Sequence, residues 1–465
     1  MTGFLSLRKV ALAYLVVPLV IMLLNWYTPW VSWPVVVGII YAFWRFPATP
    51  SEPLPRKVWW VLLAVVMAWV LLSGLGGYMY QNTDHWWRNS VLRDLIQKPW
   101  PVLYSSPEMG DSMLCYYFAY WLPAALVGKC AGLDWAQHAL YAWSAIGVMI
   151  FALLAASTQP KRAILLLLFL IFFSGVDIIP FSCRKPSDLG ICTHMEWYSQ
   201  YQYSSLSTCL FWVFNQALPA WIATMLVLDS HCTPVQKAFI VAVVFCFAPF
   251  PFIGLVAYVA LDYILSAYGR LREKSYRLKD EVKLLMKGDG LWYFLLSFTI
   301  VYLVSQFFSC TGRGLPIYIL HRFTCCSYGV FCLTEFLIPC LLMLRYRFRV
   351  RQVLIVCAAL LIIPLIQIIS FPDFVMRVSI PFILILALTF FDFIVKFRRN
   401  RALFAGCMLY LLIAAAVPAT EMMRAIKGTL DSYTGPRYIE DLTEHANFSA
   451  PEYKESRYYK WLMKR

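Results

Sequence analysis

Residues 113–130 read MLCYYFAYWLPAALVGKC, and the topology of the whole chain turns on what this stretch does. It is apolar enough to enter a bilayer, yet Tyr116, Tyr117, Tyr120 and Trp121 crowd its first half. Tyrosine and tryptophan gather at headgroup level, where a ring can be half wet. The surrounding charges supply a second criterion. If 113–130 crosses, Lys161, Arg162 and the basic stretch 270–287 fall outside; if it does not, they lie in the cytoplasm with the other basic connections. Cytoplasmic loops are the Lys/Arg-rich ones. The stretch is therefore expected to be a helix lying in, or dipping into, the outer leaflet.

Working outward, apolar runs recur at roughly 10–25, 30–45, 58–80, 134–157, 163–182, 207–228, 237–249, 251–267, 291–309, 327–344, 353–370, 378–395 and 402–418. Crossing about 30 Å of hydrocarbon takes roughly 20 residues of helix. Only helices and closed barrels span, because lipid offers the backbone no hydrogen-bond partner. The runs lack the alternation of strands, so the expected fold is all-α: a polytopic transmembrane bundle of about thirteen spans. The first run, near Ala11 to Leu24, reads as an uncleaved span. The pair 237–249 and 251–267, broken at Pro249 and Pro251, is open to a hairpin that does not fully cross. With the N-terminus inside, the basic groups Arg8 and Lys9, Arg45, Arg56 and Lys57, the Arg345–Arg351 set and the Lys396–Arg401 set all become cytoplasmic. The division expected is a membrane domain over 1–418 and a short outer C-terminal tail over 419–465. Outer loops then cover 81–133, 183–206, 310–326 and 371–377.

Composition agrees. The 465 residues are 61% hydrophobic and 14% charged, where a soluble domain is about half apolar and a quarter charged. The net charge of +15 is explained by topology, so nucleic acid is not an expected partner. The 14 cysteines scatter through the spans as small apolar residues, with no CxxC pair. Cys183 and Cys192 share one outer loop, where an oxidising compartment would permit a disulfide. There is no P-loop, no dinucleotide fingerprint and no repeat.

Three outer stretches carry chemistry. Gln81 to Arg88 reads QNTDHWWR and follows the third span. Asp84 there suits a general base towards a hydroxyl acceptor, with His85 and Arg88 as orienting neighbours; the competing reading is that Asp84 caps the next helix. Asp94 fits a solvated face. The loop after the fifth span holds His194, Glu196, Tyr198, Gln200, Tyr201 and Gln202. Aromatic faces can stack on sugar C–H groups while amides read hydroxyls, and an aromatic belt is the alternative. His194 and Glu196 are weak metal ligands by number. The third stretch is the short loop at Asp373 and Arg377. An arginine fork suits phosphate oxygens; an Asp–Arg tie between helices is the rival account. Arg313, His321 and Arg322 are further phosphate candidates. Acids within spans are costly and often functional: Asp177 is expected to line the site, Asp262 and Asp392 to sit at the cytoplasmic interface, and Glu335 has no evident place.

At this point the segment YYFAYWLPAALVGKCAGLDWAQ, beginning at Tyr116, resembles the first outer loop of GT-C superfamily glycosyltransferases, such as the aminoarabinose and protein mannosyl transferases. The residues that carry the likeness are Tyr116, Tyr117, Trp121, Leu122, Lys129 and Gly132, after an acidic residue that follows an early span. It covers about residues 58–230. The chain differs in reading Asp84-His85-Trp86 where the family commonly has a paired acid, in placing two spans before the one that leads into this loop, and in lacking a large outer domain. The resemblance implies inverting transfer of a sugar from a polyprenyl-phosphate donor on the periplasmic face of a bacterial inner membrane. Asp84 maps to the family's loop aspartate. The acceptor would be a lipid, glycan or protein. No soluble cofactor is required; a divalent metal is compatible but not indicated. The alternatives are a lipid-linked oligosaccharide flippase or other transporter, and a polysaccharide polymerase. All these enzyme readings demand that Asp84, the 194–203 loop and Arg377 meet in one pocket.

Overall fold

The computed structural model describes residues 6–48, 54–106, 110–273, 277–311, 317–320, 324–368, 372–443 and 447–464. Among them the chain is mostly helical, with a few short strands. Eight helices among the described residues are long and apolar enough to cross a membrane: Leu7–Trp26, Leu133–Thr158, Leu206–Leu228, Pro249–Leu271, Gly290–Thr311, Cys325–Arg345, Ile380–Phe397 and Arg401–Asp431. The other five expected spans coincide with shorter helices. Pro29–Arg45 and Arg56–Leu72 have 17 residues each, Val350–Ile362 has 13, Pro234–Val244 has 11 and Ala163–Phe172 has 10. At 1.5 Å per residue, 17 residues reach about 25 Å and 10 to 13 only about 15–20 Å. Of the suspected hairpin, only the first arm is short; the second, Pro249–Leu271, has 23 residues.

Leu206–Leu228 is the hub. It is almost wholly buried and packs against the helices Leu7–Trp26, Leu133–Thr158, Pro234–Val244 and Ile380–Phe397. The outer helices turn large apolar side chains outward, among them Ile264, Phe298, Leu409 and Leu412, as lipid-facing surfaces do. Lipid removes the hydrophobic drive between helices, leaving close packing and hydrogen bonds worth on average about 0.6 kcal/mol each. Such ties recur: Trp69 Nε1 to Ser207 Oγ at 3.0 Å, Tyr27 Oη to the Leu303 carbonyl at 3.0 Å, and Tyr293 Oη to the Ala42 carbonyl at 2.7 Å.

The 113–130 stretch is not a single helix, and its helical part is too short to cross. It begins in the strand Gly110–Leu114, passes a 3-10 turn at Phe118–Trp121 and ends as the ten-residue helix Leu122–Ala131. Its aromatic residues are not spread on a lipid interface as expected. Tyr120 and Trp121 are fully buried, packed on Phe214 of the hub helix. The exposed apolar part is the later turn, at Leu126 and Val127.

The tail is woven into the same end of the molecule. Helix Ala416–Ser432 carries the last apolar run past residue 418. Further on, Ser449–Ala450 pairs with Met113–Leu114 as the third strand of an antiparallel sheet with Leu103–Ser106. Met463 bridges to Tyr27 at the end of the first helix. A second pair joins Ile317–Ile319 to Ile366–Ile368.

One end of the bundle gathers a set of ion pairs around a cavity. Arg8, Gln159, Asp229, Lys237, Asp262, Arg349, Arg351 and Asp392, from six different connections, share one cavity of about 1030 Å³. Three Arg–Asp pairs rim it: Arg8 with Asp229, Arg349 with Asp392 at 2.7 Å, and Arg351 with Asp262 at 2.7 Å. These are the connections that carry the basic residues.

Candidate functional site

At the other end, helix Thr83–Gln97 starts at Asn82, whose side chain accepts from the Asp84 amide at 3.1 Å. Asn82, not Asp84, is therefore the cap. Asp84 sits in the first turn, where the helix dipole favours an anion. Its carboxylate is partly exposed and pairs with Arg88 one turn on, at 2.9 Å. The helix is fixed to the hub by a defect in the hub. Val213 leaves helical geometry, and the Phe211 carbonyl accepts instead from Asn82 Nδ2 at 2.9 Å and His85 Nε2 at 3.0 Å. The helix that carries Asp84 is thus tied to the hub helix at its kink. Burial, with Arg88 alongside, depresses the His85 imidazole to about 4, so it serves here as a neutral donor. His85 does not line the cavity. Asp94 is not solvated: it is buried, accepting from Tyr104 Oη at 2.9 Å and pairing with Arg93 at 2.9 Å.

The 194–203 loop is organised around Glu196. This buried carboxyl accepts from Gln202 Nε2 at 2.8 Å, Ser204 Oγ at 2.6 Å, the Ser205 amide at 3.0 Å and Thr208 Oγ1 at 2.7 Å. The residue that looked like a ligand therefore locks the loop onto the start of the hub helix. His194 holds Glu421 at 2.5 Å through Nδ1, while its Nε2 has no hydrogen-bond partner among the described residues. Glu421 also accepts from Trp212 Nε1 at 3.0 Å and pairs with Arg424. Trp197 and Trp212 flank the His194 ring, with centroids 4.3 and 5.2 Å away.

Arg377 lies in the short helix Asp373–Val378. It pairs with Asp373 at 2.8 Å and donates to Tyr117 Oη at 3.1 Å. Burial opposes its charge, but Tyr117, Asp373, Tyr116 and Asp84 outweigh that and hold the guanidinium more firmly protonated than usual. Nε of Arg377, and Nε and Nη1 of Arg88, are buried without an acceptor among the described residues. Five-donor forks with idle N–H groups are suited to an oxyanion.

These three stretches line one cavity of about 150 Å³, together with the hub helix. Asp84, His194, Gln202 and Arg377 all face it, with Trp197, Thr208 and Trp212. Other candidates lie elsewhere. Tyr198 bonds to Thr334 at 2.9 Å, and Tyr201 is buried against Phe331. Gln200 is not on the cavity wall, and Asp177 is deeper in the bundle, in contact with Glu335. Arg313, His321 and Arg322 fall outside the described residues. Glu421 and Trp212 were not anticipated; an acid just past the last apolar run and an indole within one were the only signals available. No group of three or more His, Cys, Asp or Glu side chains converges as a metal site among the described residues.

Comparison with family models, curated proteins and solved structures finds no match for the chain. The fold itself defines a multi-pass helical membrane protein.

Proposed function

We propose that this chain is a membrane glycosyltransferase of the GT-C type, with about thirteen crossings. It would take a sugar from a polyprenyl-phosphate donor to a lipid, glycan or protein acceptor on the periplasmic face of a bacterial inner membrane. The observation that carries the reading is the shared cavity. The Asp84 carboxylate, the Arg377 guanidinium with an idle donor and a pair of tryptophans line it together, from stretches nearly 300 residues apart in sequence. At about 150 Å³ the space is roughly half that of a small drug pocket. It suits the reacting sugar, with the prenyl chain left in lipid.

In this mechanism the acceptor hydroxyl attacks the anomeric carbon and gives its proton to Asp84. The carbon–oxygen bond to phosphate breaks, and the polyprenyl phosphate departs with that electron pair. Arg88 orients Asp84 through their ion pair, and Arg377 holds the phosphate oxygens. Trp197, Trp212, His194 and Gln202 present rings and donors to the sugar. A divalent ion is compatible with phosphate binding here, without a dedicated ligand set.

A flippase or other transporter is the second reading, favoured by the 1030 Å³ cavity at the opposite end. A polymerase would share the outer site and differ in product. Purified protein given a radiolabelled polyprenyl-phosphate sugar decides first. Asp84→Asn is expected to lower transfer by about 10²–10⁴-fold, the usual worth of a general base. Unimpaired transfer by that variant rejects Asp84 as the base.

A further inference from the structure

Two helices are broken opposite one another deep in the bundle. The chain is unwound at residues 173–176, between the helices Ala163–Phe172 and Ile178–Arg184. Facing it, the helix from Cys325 to Arg345 widens into a π-turn at Leu333–Leu337, with Glu335 in its middle. The defects complete each other: the Val176 amide donates to the Thr334 carbonyl at 3.0 Å. A Cβ at Gly175 would lie 2.4 Å from Glu335 Oε2. Only glycine lets that carboxyl press against the unwound backbone.

What the junction encloses is an acid pair. Asp177 is fully buried and Glu335 is 3% exposed, on the two backbone segments that the Val176–Thr334 bond joins. No protein N–H or O–H reaches either oxygen of Asp177, or Oε1 of Glu335, among the described residues. The buried Ser174 Oγ in the unwound segment is equally unpartnered. The ionisable groups that act on the pair include Glu196 and His194 from the outer loop, Tyr198, Tyr410 and Cys332, with Arg184 beyond Tyr198. Two buried carboxyls on touching segments can bond to each other only if one of them carries a proton. Two bare carboxylates in contact, without a cation, repel strongly in so dry a setting.

We propose that Asp177 and Glu335 form a proton-binding site inside the bundle, one proton held between two carboxyls beneath the outer cavity. His194 lines that cavity with an unpartnered Nε2 3.8 Å from Glu196, and both interact electrostatically with Asp177. The bound proton is therefore sensed by His194 on the cavity wall, and so couples to whatever the cavity binds. The inference stands apart from the transferase reading and shares no residue with the Asp84 test.

Infrared difference spectroscopy on the full chain at neutral pH tests it. The wild type should show the carbonyl band of a protonated carboxylic acid, and the isosteric pair Asp177→Asn with Glu335→Gln should lose it. A wild type without the band, or a band that survives in the double variant, overturns the proposal. Should the double variant not fold, a hydrophobic carbodiimide, which modifies protonated carboxyls, is applied to the wild type. An adduct at 177 or 335 supports the site; adducts confined to other acids refute it. Loss of the band or adduct on adding sodium chloride would make the pair a cation site and also overturn the proposal.

Discussion

Arg377 separates the two accounts of the outer cavity. As a helix tie it contributes through Asp373, whose side chain is 41% exposed, four residues away on one short helix. Exposed pairs of that kind are worth about 0–1 kcal/mol. As a phosphate clamp it contributes charge-assisted hydrogen bonds, each worth about 1.5–3 kcal/mol. Arg377→Lys keeps the charge but replaces the fork with a point donor that cannot satisfy Asp373, Tyr117 and a phosphate together. Losing one such bond should lower kcat/KM for transfer by roughly 10- to 150-fold, with thermal stability changed by no more than about 1 kcal/mol. Asp373→Asn is the matched control. It removes the tie yet leaves the guanidinium free for phosphate, so transfer should hold within a few-fold. The assay is initial rate against polyprenyl-phosphate sugar for purified wild type and both variants, with a melting curve for each. Equal losses in the two variants, or a lysine variant as active as wild type, would refute the clamp.

Two further outcomes follow from the same geometry. His85 takes up a proton only near pH 4 when folded but near 6.5 when unfolded. Between those values the unfolded chain binds more protons, so stability is full above about 6.5 and falls as pH drops towards 4, by on the order of 3 kcal/mol. Urea unfolding across that range should show the slope in wild type and lose it in His85→Gln; an unchanged slope assigns it to another group. Gly254 lets helix Pro249–Leu271 approach the chain that follows Arg377: a Cβ there would sit 2.3 Å from the Val378 carbonyl oxygen. Backbone cannot swing aside as a side chain can, so Gly254→Ala should cost about 1–3 kcal/mol and reduce transfer by displacing Arg377, whereas a variant with native melting and native rates would contradict that placement.

Much of the bundle was legible because lipid imposes a coarse rule. Apolar runs ended by basic connections mark the helices, and the structure begins helices within a few residues of most of those runs. Where runs and helices parted, the cause was local. The 163–182 run continues through Gly175 and Asp177 without a change in hydropathy, yet the helix stops at Phe172 because its backbone is completed by a neighbouring π-turn. The aromatic cluster Tyr116–Trp121 looked interfacial by composition, but its partner is Phe214, almost one hundred residues on.

The sequence by itself determined that this chain is a helical membrane protein and which connections carry its positive charge, since both follow from the energetics of each segment in lipid. It also marked Asp84, His194, Gln202 and Arg377 as polar residues beside apolar runs. Only the tertiary structure decided that these four share a cavity, that Glu196 is a structural hub, that Glu421 holds His194, and that Asp177 meets Glu335. Each of those facts is a contact between distant segments, fixed by how kinks and unwound turns satisfy one another's backbone, and no single segment encodes it.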